Sequence, residues 1–131
     1  MAEHPNVALL RRAHEAFNRA DMATLTDVIA EDVVWHLPGS SVLSGEHRGR
    51  EAVFSVFRRM GELSGGTFHT DVHDIVGNDD HTVAEFWVAG SRGGKQIRLL
   101  TADVYHVRDG QITEFWTFFH EDSRTWDEFW S

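Results

Sequence analysis

Two hydrophobic periodicities divide this chain into helical and extended segments. Apolar residues at every third or fourth position predict four helices. These helices span about residues 5–20, 21–29, 49–62 and 123–131. An apolar run at 33–37, ended by Pro38 and Gly39, predicts a strand between the second and third helices. Pro5 and Asp21 support the first two helix starts, because proline favours the first turn and aspartate the N-cap.

The second half of the chain predicts a meander of four strands. Turn-forming residues at 77–80, 91–94 and 108–110 separate four long runs rich in β-branched and aromatic side chains. The order helix, helix, strand, helix and then four strands is typical of an α+β protein. We therefore expect a single domain, residues 1–131, in which helices pack on a curved antiparallel sheet.

The last predicted hairpin, within residues 101–122, is the most informative segment. Apolar side chains fall on both of its faces, yet Asp103, Glu114 and His120 lie among them. Ionisable groups among aromatic side chains are costly unless they are paired, neutral or used in chemistry. The hairpin is therefore expected to line a pocket.

The neighbours of Asp103 in this pocket depend on the register of the hairpin. A two-residue turn at 109–110 pairs Asp103 with Trp116, whereas a three-residue turn with Gly110 as a bulge pairs it with Phe115. The second register also places Thr117 on the face of Asp103. The residues alone leave both registers open.

Composition and charge argue against several classes of protein. The chain has 12 Lys and Arg against 21 Asp and Glu, a net charge of −9 at pH 7, which disfavours binding to nucleic acid or to anionic membranes. It contains no cysteine, so disulfides and thiolate metal sites are excluded. We find no signal peptide and no apolar segment long enough to span a membrane, and we expect a cytoplasmic protein.

A metal site and a nucleotide site find little support. His69, Asp71 and His73 alternate along one predicted strand, and a metal would require a further ligand from an adjacent strand. A solvated face is the simpler interpretation. No P-loop, dinucleotide fingerprint or Ser-His-Asp spacing is present. We therefore predict no metal and no cofactor.

Four segments relate the chain to a known family. They are residues 16–21, 31–39, 45–53 and 107–114. In these segments the chain resembles the superfamily named for nuclear transport factor 2, and within it the SnoaL-like branch. The resemblance implies a cone-shaped α+β barrel with an internal apolar pocket. The family includes polyketide cyclases, ketosteroid isomerases, epoxide hydrolases, dehydratases and binding modules, so the fold does not determine the activity.

The resemblance to ketosteroid isomerases is incomplete at the residues that carry their chemistry. It places Asp103 at the position of their protonated oxyanion-hole aspartate, a carboxyl group kept neutral by an apolar site. Their general-base aspartate falls at Leu37 and their oxyanion tyrosine near Ala13, so steroid isomerisation by that mechanism is not expected. The last-strand carboxylates of the epoxide hydrolases fall at Thr117 and His120. Cyclases of the SnoaL type use an Asp or His in the pocket as acid and base, and this chain can supply such a residue.

Three titratable residues are the candidates for catalysis, namely Asp103, His120 and His36. An apolar cavity would push the Asp103 carboxyl toward its neutral form, able to donate or carry a proton. His120 is a candidate base because the unperturbed pKa of histidine is near neutrality. Strand alternation directs His36 away from the cavity unless a bulge before Pro38 reverses it. For His14, on the apolar face of the first helix, a satisfied core histidine is the simpler interpretation.

The expected function is cofactor-independent acid–base chemistry on a small hydrophobic carbonyl compound, of the isomerase, cyclase or dehydratase type. Asp103 would act as the acid or polarise an oxygen, with His120 or His36 as the base. The alternative is a non-enzymatic binding or accessory module of the same fold. The residues expected to contact the ligand are Trp35, Leu37, Phe57, Phe86 or Trp87, Tyr105, Phe115, Thr117 and Phe119.

Aromatic residues near the end of the chain predict contacts between subunits. If Trp116 and Phe118 point away from the pocket, they require a helix or another subunit to cover them. We expect a homodimer through that outer sheet face. The apolar positions Trp126, Phe129 and Trp130 allow the last helix to act as a lid or as a partner-binding surface.

Overall fold

The computed structural model describes residues 3–131. Within this range the elements, in chain order, are α1 (Pro5–Arg19), α2 (Met22–Val28), β1 (Ile29–Leu37), β2 (Gly45–Arg48), α3 (Arg50–Leu63), β3 (His69–Gly77), β4 (Thr82–Arg92), β5 (Lys95–Arg108), β6 (Gln111–Phe119) and α4 (Arg124–Trp130). All four predicted helices and all five predicted strands are present. The additional strand, β2, lies between the predicted strand at 33–37 and the third predicted helix, where the sequence predicts no regular element. It is short and polar, and it pairs with β1 at the edge of the sheet.

The helix boundaries follow the predicted local chemistry. Pro5 occupies the first turn of α1, and Ala20 ends that helix with a positive φ of 55°, a left-handed C-cap. The Asp21 carboxylate accepts a hydrogen bond from the backbone N–H of Thr24 at 3.1 Å, which caps α2. Two residues, Ala20 and Asp21, therefore separate α1 from α2.

The six strands form one curved sheet in the order β2-β1-β6-β5-β4-β3. The α+β class and the curved sheet are confirmed. One pair differs from the predicted antiparallel arrangement, because β1 runs parallel to β6. A parallel pair requires a long crossover, and here α3 and the strands β3, β4 and β5 lie within that connection.

The register between β5 and β6 differs from both predicted alternatives. Asp109 and Gly110 form a two-residue turn with φ values of 52° and 74°, the combination that a type I′ turn requires. A bulge at Thr113 then shifts the pairing by one residue, and the Thr113 hydroxyl donates to the His106 carbonyl at 3.2 Å. Asp103 consequently lies opposite Thr117, not Trp116 or Phe115.

The core lies between the sheet and the helices. α1 packs against β3, α3 against β1, and α4 against β5. The three apolar residues of α4, Trp126, Phe129 and Trp130, are all buried. Within residues 3–131, none of the helices has the length and apolar character needed to cross a membrane.

Candidate functional site

A cavity of about 90 Å³ lies inside the fold, with a wall that is largely aliphatic and aromatic. Every helix contributes to its wall, and so does every strand except β2. The residues that line it are Ala13, His14, Phe17, Leu25, Ile29, Trp35, Leu37, Phe57, Met60, Thr70, Phe86, Val88, Thr101, Asp103, Tyr105, Ile112, Phe115, Thr117 and Trp126. The space is therefore an apolar chamber with few polar side chains.

The structure places most of the predicted contact residues at this cavity. Those that line it are Trp35, Leu37, Phe57, Phe86, Tyr105, Phe115 and Thr117. Trp87 does not, because alternation along β4 turns it to the other face, where the Arg98 guanidinium lies 4.6 Å from its ring centroid. Phe119 also lies outside the lining and packs on Trp126 with a centroid distance of 5.1 Å.

Asp103 is the only carboxylate among the lining residues, and it is 6% exposed. Tyr105, two residues along β5 and therefore on the same face, donates its hydroxyl proton to Asp103 Oδ2 at 2.8 Å. Tyr105 Oη lies 3.3 Å from Nε2 of His14, and His14 Nδ1 lies 2.9 Å from Oγ1 of Thr70. Four side chains from α1, β3 and β5 thus form one buried chain of hydrogen bonds.

The direction of each hydrogen bond in this chain follows from the donors available. Tyr105 has one hydroxyl proton and donates it to Asp103, so its oxygen accepts from His14 Nε2–H. His14 Nδ1 then accepts from the Thr70 hydroxyl. The Asn18 side chain fixes Thr70 by bonding its backbone N–H at 2.8 Å and its carbonyl at 2.7 Å.

Burial sets the protonation states of these groups. Burial raises the pKa of Asp103 from 3.8 to about 6, and the hydroxyls of Thr117 and Tyr105 act in the opposite direction. Burial lowers the pKa of His14 from 6.5 to about 4, so this imidazole is neutral at pH 7. The pKa of Tyr105 is raised well above its ordinary value by burial and by the nearby Asp103 charge. Asp103 is therefore the group whose protonation changes nearest to neutrality.

The two oxygens of Asp103 are held differently. Among the described residues, no hydrogen-bond partner is present for Asp103 Oδ1, which is buried. Thr117 stands opposite Asp103 in the sheet, and its hydroxyl oxygen accepts from Trp35 Nε1 at 2.9 Å. This bond fixes the Trp35 ring, which stacks on Phe115 at 5.2 Å. The Tyr105 hydroxyl thus anchors Oδ2, whereas Oδ1 has no partner with hydrogen-bond geometry, although the Thr117 hydroxyl lies near enough to lower the pKa of the carboxyl.

The structure does not bring His36 or His120 to Asp103, and this part of the prediction is corrected. His36 stacks on Trp116 at 5.0 Å, and its Nε2 lies 2.7 Å from Oε2 of Glu114. His120 Nε2 lies 2.9 Å from Oε2 of Glu85. Strand alternation explains both positions, since each histidine follows or precedes a residue that faces inward. Both histidines lie outside the cavity lining.

The histidine that does reach the site is His14. Both of its ring nitrogens are hydrogen-bonded, as expected of a core histidine, yet one of them bonds the hydroxyl that holds Asp103. Its helical spacing with Val7 and Leu10 indicated an inward position. The contact with Tyr105 joins residues 91 positions apart, and nothing in the sequence indicated it.

The strand that carries His69, Asp71 and His73 forms pairs instead of a cluster. His69 Nε2 lies 3.6 Å from Asp71 Oδ2, and His73 Nε2 lies 3.6 Å from Glu85 Oε1. Within residues 3–131, no group of three or more His, Cys, Asp or Glu side chains is arranged to hold a metal ion.

Comparison with known proteins gives the chain a family. The model of the SnoaL-like domain matches residues 10–115. An uncharacterized protein of Mycobacterium tuberculosis is 30% identical over 132 residues, covering 100% of both chains. Bal32a, from a soil-derived mobile gene cassette, is 36% identical with a TM-score of 0.93 and 97% of each chain covered. IdmH of Streptomyces antibioticus, a candidate polyketide cyclase, is 26% identical with a TM-score of 0.75, covering 90% of this chain and 93% of its own. The chain therefore belongs to the SnoaL-like family, within the superfamily named for nuclear transport factor 2.

Proposed function

We propose that this chain is a cofactor-independent acid–base enzyme that acts on a small hydrophobic carbonyl compound in its cavity. The observation that carries this proposal is the buried Asp103, whose pKa of about 6 lies close to neutrality inside an apolar wall. Its family includes candidate polyketide cyclases and epoxide hydrolase-like proteins, which supports an enzymatic role without specifying the reaction.

Asp103 can both take and return a proton. Near pH 7 its carboxylate is the main form, so it removes a proton from the carbon next to the substrate carbonyl. The electron pair of the broken C–H bond moves onto the carbonyl oxygen and forms an enolate. The neutral carboxyl then returns the proton to another carbon, or to a leaving hydroxyl, which gives isomerisation or dehydration. In a cyclisation the enolate carbon attacks a second carbonyl, whose oxygen receives the proton.

Tyr105 and His14 act as positioning residues in this scheme. The Tyr105 hydroxyl holds Oδ2 of Asp103 at 2.8 Å, which directs transfer to Oδ1. His14 is neutral near pH 7 and orients the Tyr105 hydroxyl through its Nε2–H. The Thr70 hydroxyl is the partner of the remaining ring nitrogen of His14, Nδ1. The hydrogen-bonding groups of Tyr105 and His14 therefore have partners within the protein and do not require bulk water.

A non-enzymatic binding module remains the second candidate, and one observation favours it. Apart from Asp103, His14 is the lining residue that could act as a base, and both of its ring nitrogens already form hydrogen bonds within the protein. No second base is therefore free beside Asp103 among the described residues. A protein of this kind would hold the same apolar carbonyl compound without changing it.

Deuterium exchange separates the two candidates. We expect the protein in D₂O to accelerate exchange of the α-hydrogens of 2-tetralone, followed by proton NMR, with a rate that rises with pH through about 6. Asp103→Asn should reduce the acceleration by about 100-fold or more. Glu85→Gln, which alters a carboxylate bound to His120 on the outer face, is the matched control and should leave the rate unchanged. Binding of 2-tetralone without accelerated exchange would establish the binding module instead.

A further inference from the structure

Two unpartnered polar atoms belong to residues that line the cavity. Of the described residues, four have a buried side-chain nitrogen or oxygen without a hydrogen-bond partner, and they are Thr82, Asp103, Trp126 and Trp130. Asp103 and Trp126 line the cavity, whereas Thr82 and Trp130 do not. All the other polar side chains of the lining have partners within the protein. The lining residues thus carry two polar atoms without a partner, Asp103 Oδ1 and the indole N–H of Trp126.

A buried polar atom without a hydrogen-bond partner reduces the stability of a folded protein, so each one needs a structural explanation. An indole N–H is a donor only, so the partner of Trp126 must be an acceptor such as a carbonyl, ether or hydroxyl oxygen. A carboxylate oxygen accepts from a hydroxyl when ionised, and the protonated carboxyl donates to a carbonyl. The two atoms therefore complement a ligand that carries two oxygen functions.

The position of Trp126 is fixed by the attachment of α4. The Asp127 carboxylate accepts hydrogen bonds from the backbone N–H of Ser40 at 3.0 Å and from its hydroxyl at 3.1 Å. Lys95 Nζ donates to the carbonyl of Glu128 at 3.0 Å. The Trp126 ring itself packs on Phe119, and its side chain is 2% exposed. A donor held this rigidly loses little freedom when it binds a ligand.

We propose that Trp126 is a specificity-determining residue whose indole N–H binds one oxygen of the ligand while the Asp103 carboxyl binds another. The ligand class is an apolar compound with a carbonyl and a second oxygen, either a hydroxyl or another carbonyl. This inference rests on the proposed function, which supplies the reason for a ligand in the cavity. A compound with one oxygen leaves one of the two buried atoms unpartnered and binds less tightly.

Affinities for a set of related probes test this assignment without any turnover. The probes are 2-, 3- and 4-hydroxyacetophenone, with two oxygens, acetophenone and 4-ethylphenol, with one, and ethylbenzene, with none. We expect at least one hydroxyacetophenone to bind about tenfold more tightly than either one-oxygen probe. Trp126→Phe keeps an aromatic ring but removes the N–H. It should weaken the binding of that hydroxyacetophenone about tenfold and leave the affinity for ethylbenzene unchanged.

Trp130→Phe is the matched control, because it removes an equally buried and unpartnered N–H from the same helix outside the cavity. The proposal is overturned if Trp130→Phe has the same effect, if Trp126→Phe weakens ethylbenzene equally, or if no hydroxyacetophenone binds better than the one-oxygen probes. Failure of every hydroxyacetophenone to bind also overturns it.

A measurement on the unaltered chain covers the case in which Trp126→Phe folds poorly. The indole N–H resonance of Trp126 should move when the tightest hydroxyacetophenone is added, and much less with ethylbenzene. An unmoved resonance overturns the proposal. The two proposals can fail separately. If the protein accelerates deuterium exchange but Trp126→Phe leaves the probe affinities unchanged, only the role of Trp126 is contradicted. If the probe affinities are as expected but exchange is not accelerated, only the enzymatic function is contradicted.

Discussion

The hydroxyl of Tyr105 lies 2.8 Å from Oδ2 of Asp103, two residues earlier in the same strand. Both side chains are buried, so this bond forms where water does not compete with it. It stabilises the ionised form of Asp103 and opposes the effect of burial on the pKa of that carboxyl. Tyr105 therefore tunes the group on which the proposed chemistry depends.

Removing this donor should raise the pKa of Asp103. In Tyr105→Phe the carboxylate loses a hydrogen bond while burial is retained, so we expect a pKa above its value of about 6. The carbon-13 chemical shift of the Asp103 carboxyl, followed through a pH titration, measures this directly. An unchanged or lower pKa in Tyr105→Phe would contradict the tuning role.

Asp103→Asn should change how stability depends on pH. The pKa of Asp103 is raised on folding from 3.8 to about 6. The contribution of this residue to the free energy of unfolding is therefore fully present below pH 3.8 and is lost as the pH rises through 6. The neutral amide avoids this loss. Between pH 3.8 and pH 7, Asp103→Asn should therefore gain about 3 kcal/mol of unfolding free energy relative to the unaltered protein. Urea unfolding at a series of pH values tests this, and a constant difference would contradict it.

His14→Gln should show the opposite trend over the same range. The pKa of His14 is lowered on folding from 6.5 to about 4, so its contribution is present above 6.5 and is lost as the pH falls through 4. The variant loses buried hydrogen bonds and is less stable at pH 7, but this deficit should shrink by about 3 kcal/mol toward pH 4. The same urea series measures it, and a deficit that grows on acidification would disprove the assignment.

Thr117→Val tests the bond that orients Trp35. The Trp35 N–H donates to the Thr117 hydroxyl at 2.9 Å, so valine would leave a buried donor unpartnered at a cost of about 1–3 kcal/mol in unfolding free energy. Thr101→Val is the matched control, because the buried Thr101 hydroxyl donates only to the carbonyl of Leu99 in its own strand. Equal losses in the two variants, measured by urea unfolding, would show that the Trp35 bond has no special weight.

We also propose a homodimer through the outer face of the sheet. Phe118 is 52% exposed and lies beside Trp116 on the face opposite Asp103, and a second copy could cover this patch around a two-fold axis. Phe118→Glu should then yield monomers in sedimentation experiments. Val42→Glu, at a side chain that is 60% exposed in a loop, is the control and should leave the dimer intact. A monomeric unaltered chain rules the proposal out.

Much of the fold could be predicted because local chemistry determines it. The Pro5 and Asp21 helix starts and the turn at Asp109 and Gly110 each follow from preferences of one or two residues. The strand β2 was missed because Gly45–Arg48 has neither the length nor the apolar alternation of a strand. Its pairing with β1 supplies the structure that its own residues do not indicate.

The site could be predicted only in part, for reasons of geometry. Alternation along β5 and burial in an aromatic hairpin indicated an Asp103 that faces a pocket. The bulge at Thr113, which determines its partner Thr117, leaves no distinctive residue pattern. The contact between His14 and Tyr105 joins a helix to a distant strand, and such contacts follow from packing alone.

Strand β1 completes the wall of the cavity by lying parallel to β6, although β2, α3 and the first three strands of the meander separate them along the chain. Hairpins between neighbouring strands can form early, whereas β1 must close a long loop before it can pair with β6. We expect the folding transition state to contain the meander and to lack β1, so Val33→Ala should have a lower φ-value than Val88→Ala. A ligand that needs the finished chamber would then slow the unfolding of the domain without accelerating its folding.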